Sequence, residues 1–371
     1  MKFTVGLAVG RGTGAELASV FERTLEKLGD VYSVETDISR SERIYHSYFS
    51  LLAEGGLGQM RSLTEEDAEH YESFCRKHAL RGIPAVFRTA INAQSLYLVR
   101  QRLCSVKVEE LNTTDLSFLL VRDQAQGFYT GENTHSGDTI TRTLRFSKEI
   151  TEKVTSYAID RARSMWPDRP VERVLMVYKF HLLDGMLSAW TAELSTRYGI
   201  DIELCQPDTA NRNLVTKGLS GRVPVIAGNE WADIMHVILL DRLGLGPQEN
   251  RFTENIYLHP ELSGLVEYQT VHGSADDIAG KDIVNPQATI RAAAAIMERH
   301  GGCVGAVQTV DHVLESLGER RILTPDQGGR CSTKSVIDAF VDTLEASEAC
   351  LRESSGGKAL QSETTHSDHG I

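Results

Sequence analysis

The stretch His272-Gly-Ser-Ala-Asp-Asp-Ile-Ala-Gly-Lys-Asp-Ile-Val-Asn285-Pro286 decides how the rest of the chain is read. His272, Gly273, Ser274 and Ala275 make a turn without bulky side chains, so backbone N–H groups, a hydroxyl and an imidazole are open to a ligand. Asp277 and Ile278 follow, and Asn285-Pro286 opens a helix. Such a turn suits a nucleotide. Its amides can meet phosphate or ribose oxygens, and the Asp277 carboxylate can accept both ribose hydroxyls of an unphosphorylated adenosine. The same carboxylate would repel a 2′-phosphate, so the stretch predicts NAD rather than NADP.

Composition bounds what surrounds this loop. A chain of 371 residues, 41% hydrophobic and 24% charged, can bury a large core and divides naturally into two domains. The net charge of −12 disfavours a nucleic-acid or anionic-membrane partner. Six cysteines with no CxxC pair read as reduced thiols of a cytoplasmic protein. The run from Met1 to Gly10 is short, glycine-interrupted and followed by Arg-Gly-Thr-Gly, which reads as a first strand rather than a signal segment. No apolar run has the length of a membrane span.

Strand and helix patterns alternate, which predicts an α/β fold. Strands are expected at Phe3–Val9, Val174–Tyr178, Ile200–Leu204 and Val223–Ala227, and helices at Gly14–Leu28 and about Asp184–Arg197. Ser147 is a plausible N-cap for another helix, and Pro286 suits the first turn of one ending at Gly301-Gly302. Gly10-Arg-Gly-Thr-Gly14 reads GxGxG, not the Rossmann GxGxxG, and is a tight turn between strand and helix rather than a phosphate cradle. From about Ser354 the chain is rich in Ser, Gly, Thr and His, and no regular structure is expected.

Several polar residues stand at strand or helix ends. Taken alone, Arg122 and Tyr129 read as an ion pair and a buried ring, Lys179 as a solvated strand end, and Asp208 as an N-cap. Together with the opening loop they form a pattern. The segment His272–Pro286 is similar, almost residue for residue, to the adenosine-binding loop of the isocitrate and isopropylmalate dehydrogenase family. Arg122-Asp-Gln-Ala-Gln-Gly-Phe-Tyr129 resembles that family's Arg-Glu-x-x-x-Gly-x-Tyr, and Asn229-Glu-Trp-Ala-Asp233 its Asn-Leu-x-Gly-Asp helix. The resemblance covers roughly residues 1 to 345, weakly between about 30 and 95.

The resemblance implies a two-domain fold with a large twisted mixed sheet flanked by helices and no classical Rossmann fingerprint. A discontinuous large domain (1–104 with 244–351), a central dimerisation domain (105–243) and a disordered tail (352–371) are expected. It also implies roles. Arg100 and Arg122 hold substrate carboxylates, with Ser95 at the end of the specificity loop as a further contact. Tyr129 protonates the product carbon, and Lys179 takes the hydroxyl proton. Asp208 and Asp233 bind Mg²⁺ or Mn²⁺, with Lys179 and Asp208 reaching across a homodimer. His272, Gly273, Ser274, Ala275, Asp277, Ile278 and Asn285 hold NAD.

The expected activity is oxidative decarboxylation of a 3-substituted malate-type 2-hydroxy acid. The alternatives are a non-catalytic regulatory paralogue and a tartrate- or malate-type dehydrogenase without decarboxylation. Departures cluster at the substrate end. Val237 replaces a second metal-binding Asp, His181 an Asn near the lysine, Gln269 a Glu, and gap-free counting puts Glu110 where the family has an arginine. Lys107 can take that arginine's place if the strand is shifted. Isocitrate and isopropylmalate themselves are therefore not the expected substrates.

Overall fold

A computed structural model of the chain describes residues 2–113, 116–217, 221–271 and 273–359. Among these, ten strands form one sheet. In chain order the strands are β1 (Lys2–Gly10), β2 (Glu35–Tyr45), β3 (Ala85–Arg88), β4 (Ser105–Asn112), β5 (Leu116–Asp123), β6 (Glu132–Ser136), β7 (Thr139–Thr143), β8 (Arg173–Val177), β9 (Asp201–Cys205), β10 (Gly221–Gly228), β11 (Phe252–Tyr257) and β12 (Val266–Thr270). The main sheet runs β2-β1-β3-β12-β11-β4-β5-β10-β8-β9, and β6 and β7 form a separate hairpin. Most pairings are parallel, but β11 is antiparallel to both β12 and β4, and β4 is antiparallel to β5. One mixed sheet therefore crosses the whole molecule.

The helices are α1 (Gly14–Tyr32), α2 (Tyr48–Leu80, broken at Gly56 where φ is +54°), α3 (Ala93–Arg102), α4 (Lys148–Met165), α5 (Met186–Tyr198), α6 (Pro207–Lys217), α7 (Asn229–Leu243), α8 (Gln287–Gly301), α9 (Ala306–Glu319) and α10 (Thr333–Ala359). Helix α1 shows why they pack as they do. Leu17, Phe21, Leu25 and Leu28 recur at helical spacing, and all four are fully buried. Phe21 stacks on Phe87 of β3 with ring centroids 4.2 Å apart. Burying one such ring contributes about 2–3 kcal/mol.

One apolar cluster joins α1, β1, β3, β12 and helices α8 to α10; another joins β4, β5, β8 and β10 with α4 and α5. Among the described residues no helix is long and apolar enough to cross a membrane.

Several expectations shift in detail. Tyr178 lies just beyond β8, and Arg122 lies inside β5 rather than after it. Ser147 is the residue before α4, but its hydroxyl makes no cap bond; its N–H donates to Gln126 Oε1 at 2.9 Å. Pro286 precedes α8, and the carbonyl oxygen of the Asn285 side chain accepts the Gln287 N–H at 3.0 Å. Helix α10 runs to Ala359, past Ser354, because helical hydrogen bonds are local and need no packed face.

Candidate active site

The C-terminal ends of β3, β5 and β12 meet α3 and α7 around a cleft of about 470 Å³. Strand β4 lies beside them, with Lys107 opposite Arg122 in the ladder. Side chains alternate along a strand, so Lys107 and Glu109 share the face that Arg122 occupies, while Glu110 points to the other. Glu110 accordingly pairs with Arg161, its Oε1 accepting from Arg161 Nε at 2.7 Å, and does not line this cleft. Lys107 is the cation the strand supplies.

Arg122 is the best-held side chain of the site, at 3% exposure. Its Nε and Nη2 donate to Asn229 Oδ1 at 3.2 and 3.1 Å, and Nη1 donates to Glu109 Oε1 at 3.2 Å. Nη2 also forms an ion pair with Asp233 Oδ1. Burial pushes Glu109 upward, but Arg122, His236 and Lys107 together outweigh it and hold the carboxyl below its usual range. His236 Nε2 lies 3.5 Å from Glu109 Oε2, and burial lowers the imidazole to about 4, so this histidine is neutral. Burial, with Arg122 nearby, also brings Lys107 well below the ordinary lysine value.

Tyr129 follows Gly127, whose φ of +101° makes the turn. Its hydroxyl donates to Asp233 Oδ2 at 3.1 Å, and its ring stacks on Tyr97 with centroids 4.7 Å apart. Burial, then the neighbouring Tyr97, raises the Tyr129 phenol, so it keeps its proton at neutral pH. Asn229 Nδ2 donates to the Tyr97 hydroxyl at 2.9 Å, closing a ring of contacts among Tyr97, Asn229, Arg122, Asp233 and Tyr129.

On the opposite wall, Arg100 lies 5.1 Å from the Tyr97 ring centroid and donates to Gln269 Oε1 at 3.2 Å. Arg88 donates to Glu267 Oε1 at 2.7 Å. Ser95 is not part of this lining. It is buried, its oxygen accepts from Asn92 Nδ2 at 3.3 Å, and the turn of α3 sends Leu96, Tyr97 and Arg100 to the cleft instead.

The nucleotide-type loop borders the same cleft through Gly273 and Ser274, while His272 lies outside the described residues. Thr13 N–H donates to Ser274 O at 2.9 Å, and a Cβ on Gly12 would stand 2.2 Å from that oxygen. The glycine turn after β1 is therefore a packing surface for the loop. Glu16 of α1 accepts the N–H groups of Gly280 and Asp282, each at 3.0 Å. Ala275 takes a left-handed φ of +45°, and Ile278 N–H closes the turn onto Ala275 O at 3.1 Å.

Asp277 is exposed and makes no ion pair among the described residues, so its carboxylate is open to a ribose. Asn285 differs. Its Nδ2 donates to Asn250 Oδ1 at 2.8 Å and Asp326 Oδ2 at 3.0 Å, so its amide is spent inside the protein.

Lys179 and Asp208 stand apart from the cleft. Lys179 Nζ donates to Asp208 Oδ1 at 3.0 Å and lies 5.9 Å from the Trp231 ring centroid. The Lys179 contact holds the exposed Asp208 carboxyl below its usual range. Among the described residues no three His, Cys, Asp or Glu side chains gather into a metal site, and one protomer brings only Asp233 of the expected pair to the cleft. Magnesium and manganese ordinarily keep several waters and take one or two protein carboxylates plus ligand oxygens. Asp233 can supply one such carboxylate. Val237, half-exposed on the turn after Asp233, offers no donor.

Sequence reasoning passed over Arg88, Tyr97, Glu109 and Glu267. The signals were present: a lone Arg ending the apolar strand Ala-Val-Phe-Arg88, and charged residues at alternate positions of β4.

The fold agrees with the comparisons to known proteins. A model of the isocitrate/isopropylmalate dehydrogenase family matches residues 75–340. A probable tartrate dehydrogenase/decarboxylase of Agrobacterium vitis is 28% identical over 252 residues, 63% of this chain and 65% of that protein. The 3-isopropylmalate/3-methylmalate dehydrogenase of Methanocaldococcus jannaschii is 30% identical over 227 residues, 59% of this chain and 65% of its own length. The chain thus spans about 65% of the length of these curated relatives. The crystal structure of isocitrate dehydrogenase from Methylococcus capsulatus superposes with a TM-score of 0.65 at 20% identity, covering 92% of this chain and 99% of that one. A β-decarboxylating dehydrogenase from Thermococcus kodakarensis gives 0.58 at 18% identity, covering 99% of this chain and all of the other. The chain belongs to the isocitrate/isopropylmalate dehydrogenase family.

Proposed function

We propose that this protein catalyses the NAD-dependent, divalent-metal-dependent oxidative decarboxylation of a 3-substituted malate-type 2-hydroxy acid. The observation that carries the reading is the Arg122–Asp233–Tyr129 cluster. It places a fixed cation, a metal-type carboxylate and a protonated phenol at one end of a cationic cleft that opens onto the Gly273–Ile278 loop. Family members use NAD(P) and a divalent metal ion. Here the exposed Asp277 carboxylate favours the unphosphorylated ribose of NAD, with Gly273, Ser274, Ala275 and Ile278 forming the cradle. Asn285 bonds Asn250 and Asp326 outside that cradle.

The Gly273–Ile278 loop would hold NAD, which would supply the hydride acceptor, and Asp233 with the second copy's Asp208 would hold a divalent ion, which would supply Lewis-acid polarisation. The chain's own groups do the rest. Arg122, fixed by Asn229 and Glu109, orients the carboxylate that leaves as CO₂. Tyr129 holds its proton through burial and delivers it to C3 after that bond breaks. Lys179 of a second copy accepts the hydroxyl proton, for within one protomer it faces Asp208 and not the cleft.

A homodimer follows from the same reading. Ile234 and Val237 flank Asp233 on α7, Leu182 and Met186 follow Lys179, and all four are exposed apolar residues that a second copy would cover. The division into 1–104 with 244–351 and 105–243, and a cytoplasmic location, belong to this proposal.

NADH formation with Mn²⁺ and a panel of 3-substituted malates tests it. Metal-dependent turnover accompanied by CO₂ release is expected. Oxidation without CO₂ would replace it with a simple dehydrogenase. NAD binding without turnover of any member would replace it with a binding paralogue.

A further inference from the structure

Two aromatic rings stand uncovered beside the nucleotide-type loop. Tyr48 and Phe49, the first two residues of α2, are 51% and 62% exposed, and Leu52, one turn on, is 40% exposed. The two rings meet edge to face with centroids 5.6 Å apart. Aromatic side chains carry a large apolar area, and touching rings left in water ordinarily mark a surface that a ligand or partner covers.

The turn that leads into these rings is fixed on three sides. Tyr45 O accepts the Arg11 N–H at 2.8 Å, which ties the turn to the glycines after β1. His46 O accepts the Asn92 N–H at 2.8 Å, beside Ala90 and Ile91 of the cleft lining. Ser47 caps α2 by accepting the Ser50 N–H at 3.0 Å, and its hydroxyl donates to Asp276 Oδ1 at 2.6 Å. Asp276 directly precedes Asp277, the proposed ribose acceptor. The other charged groups of the turn are matched within the protein: Arg11 pairs with Glu54, and His46 bonds both Asp67 and Glu54. Helical side chains lean toward the N-terminus of their helix, so Tyr48, Phe49 and Leu52 lean toward the end that Asp276 holds. The break at Gly56 separates these first two turns from the rest of α2.

We propose that Tyr48 and Phe49 form a stacking face for the adenine ring of NAD, so that α2 completes an adenosine site whose ribose end is Asp277. This inference rests on the NAD reading above. Adenine presents a flat π face, and stacking on an aromatic ring holds it without hydrogen-bond donors. A face bonded through Ser47 to the residue beside the ribose carboxylate suits the base at that end of the cofactor. The nicotinamide end has to enter the cleft, where the substrate reacts. The first turns of α2 lie outside residues 75–340, the part of the chain that the family model matches, so the family match does not supply this contact.

The test is calorimetric binding of NAD, AMP and nicotinamide mononucleotide to the full-length protein and to a Tyr48→Ala/Phe49→Ala double variant. The double variant should melt with the wild type, since both rings are exposed, and should bind NAD and AMP at least about fivefold more weakly, the scale of one lost base–aromatic stack. Its affinity for nicotinamide mononucleotide should not change. Phe49→Trp keeps a stacking plane and should retain the wild-type affinity, with an added indole emission that AMP quenches. Equal binding of NAD and AMP by wild type and double variant overturns the stacking face and leaves the cofactor reading standing. An equal loss for nicotinamide mononucleotide overturns the adenine assignment. Wild-type protein that binds neither NAD nor AMP removes the cofactor reading itself, and this contact with it. If the rings instead pack against a second copy, sedimentation should show the double variant dissociating, and that result also overturns the proposal.

Discussion

Glu267→Gln is the substitution that most sharply examines how the cleft is supported. Glu267 is 1% exposed and accepts hydrogen bonds from Arg88 at 2.7 Å, Tyr71 at 2.7 Å and Asn255 at 3.0 Å, as well as from Tyr257. Burial raises its carboxyl, but the charges of Arg88 and then Arg100 outweigh that and hold it below the usual range. Glutamine keeps the shape and one acceptor but removes the charge, leaving the Arg88 guanidinium buried without a counter-ion. Breaking a buried pair from one side costs about 3–5 kcal/mol. Urea unfolding should register that loss as a lower midpoint with an unchanged slope. Replacing both partners, Arg88→Met with Glu267→Met, should recover most of it, because no lone charge remains. A loss below about 1 kcal/mol in Glu267→Gln, or a double variant as unstable as the sum of the singles, would refute the claim that Glu267 compensates Arg88.

Acid should weaken the fold through two histidines. Burial lowers His236 and His300 to about 4, below the 6.5 of an unfolded chain. The unfolded state therefore binds more protons, and stability falls as pH drops from about 6.5 towards 4, by up to about 1.4 kcal/mol per pH unit for each group. Urea titrations at pH 7 and 5.5 should show a shallower decline in His300→Asn, and an unchanged decline would exclude that histidine. Asp277→Lys should raise the Kd for NAD at least about tenfold, the worth of a charge-assisted pair of hydrogen bonds; unchanged affinity would remove the ribose contact. Lys179→Ala and Asp233→Asn should each abolish turnover. Mixing the two should restore up to about a quarter, since a mixed dimer keeps one complete site, and no recovery would argue against sites shared between copies. Chelation of the divalent ion should stop turnover while NAD stays bound, and activity in excess EDTA would exclude the metal.

Much of the fold was readable because its signals are local. The apolar spacing of Leu17, Phe21, Leu25 and Leu28 marks α1, and the opening loop quotes its own glycines and carboxylates. Arg122, Tyr129 and Asp233 were found as motif positions, and folding brings them into contact. The misreadings arose where the strand or helix period decides which face a residue takes. Counting without gaps put Glu110 at the site, but strand periodicity sends Lys107 there and Glu110 to Arg161. Ser95 failed for the helical equivalent of that reason. Glu267 could not be found from sequence, since its partners at Tyr71, Arg88, Asn255 and Tyr257 meet only when the sheet is assembled.

The antiparallel seam between β4 and β11 sets how the cleft can move. Four residue pairs, Glu254 with Val108, Asn255 with Lys107, Ile256 with Val106 and Tyr257 with Ser105, join the half of the sheet bearing the nucleotide-type loop to the half bearing Arg122 and Tyr129. Two bodies on a free linker swing. Two bodies sharing a ladder can only flex it, as a leaf spring does. Any opening of the cleft would have to twist that ladder, and its hydrogen bonds would resist the twist. Lys107 lies on that seam, paired with Asn255, next to the line about which such a twist would turn, so it would travel less than the rims.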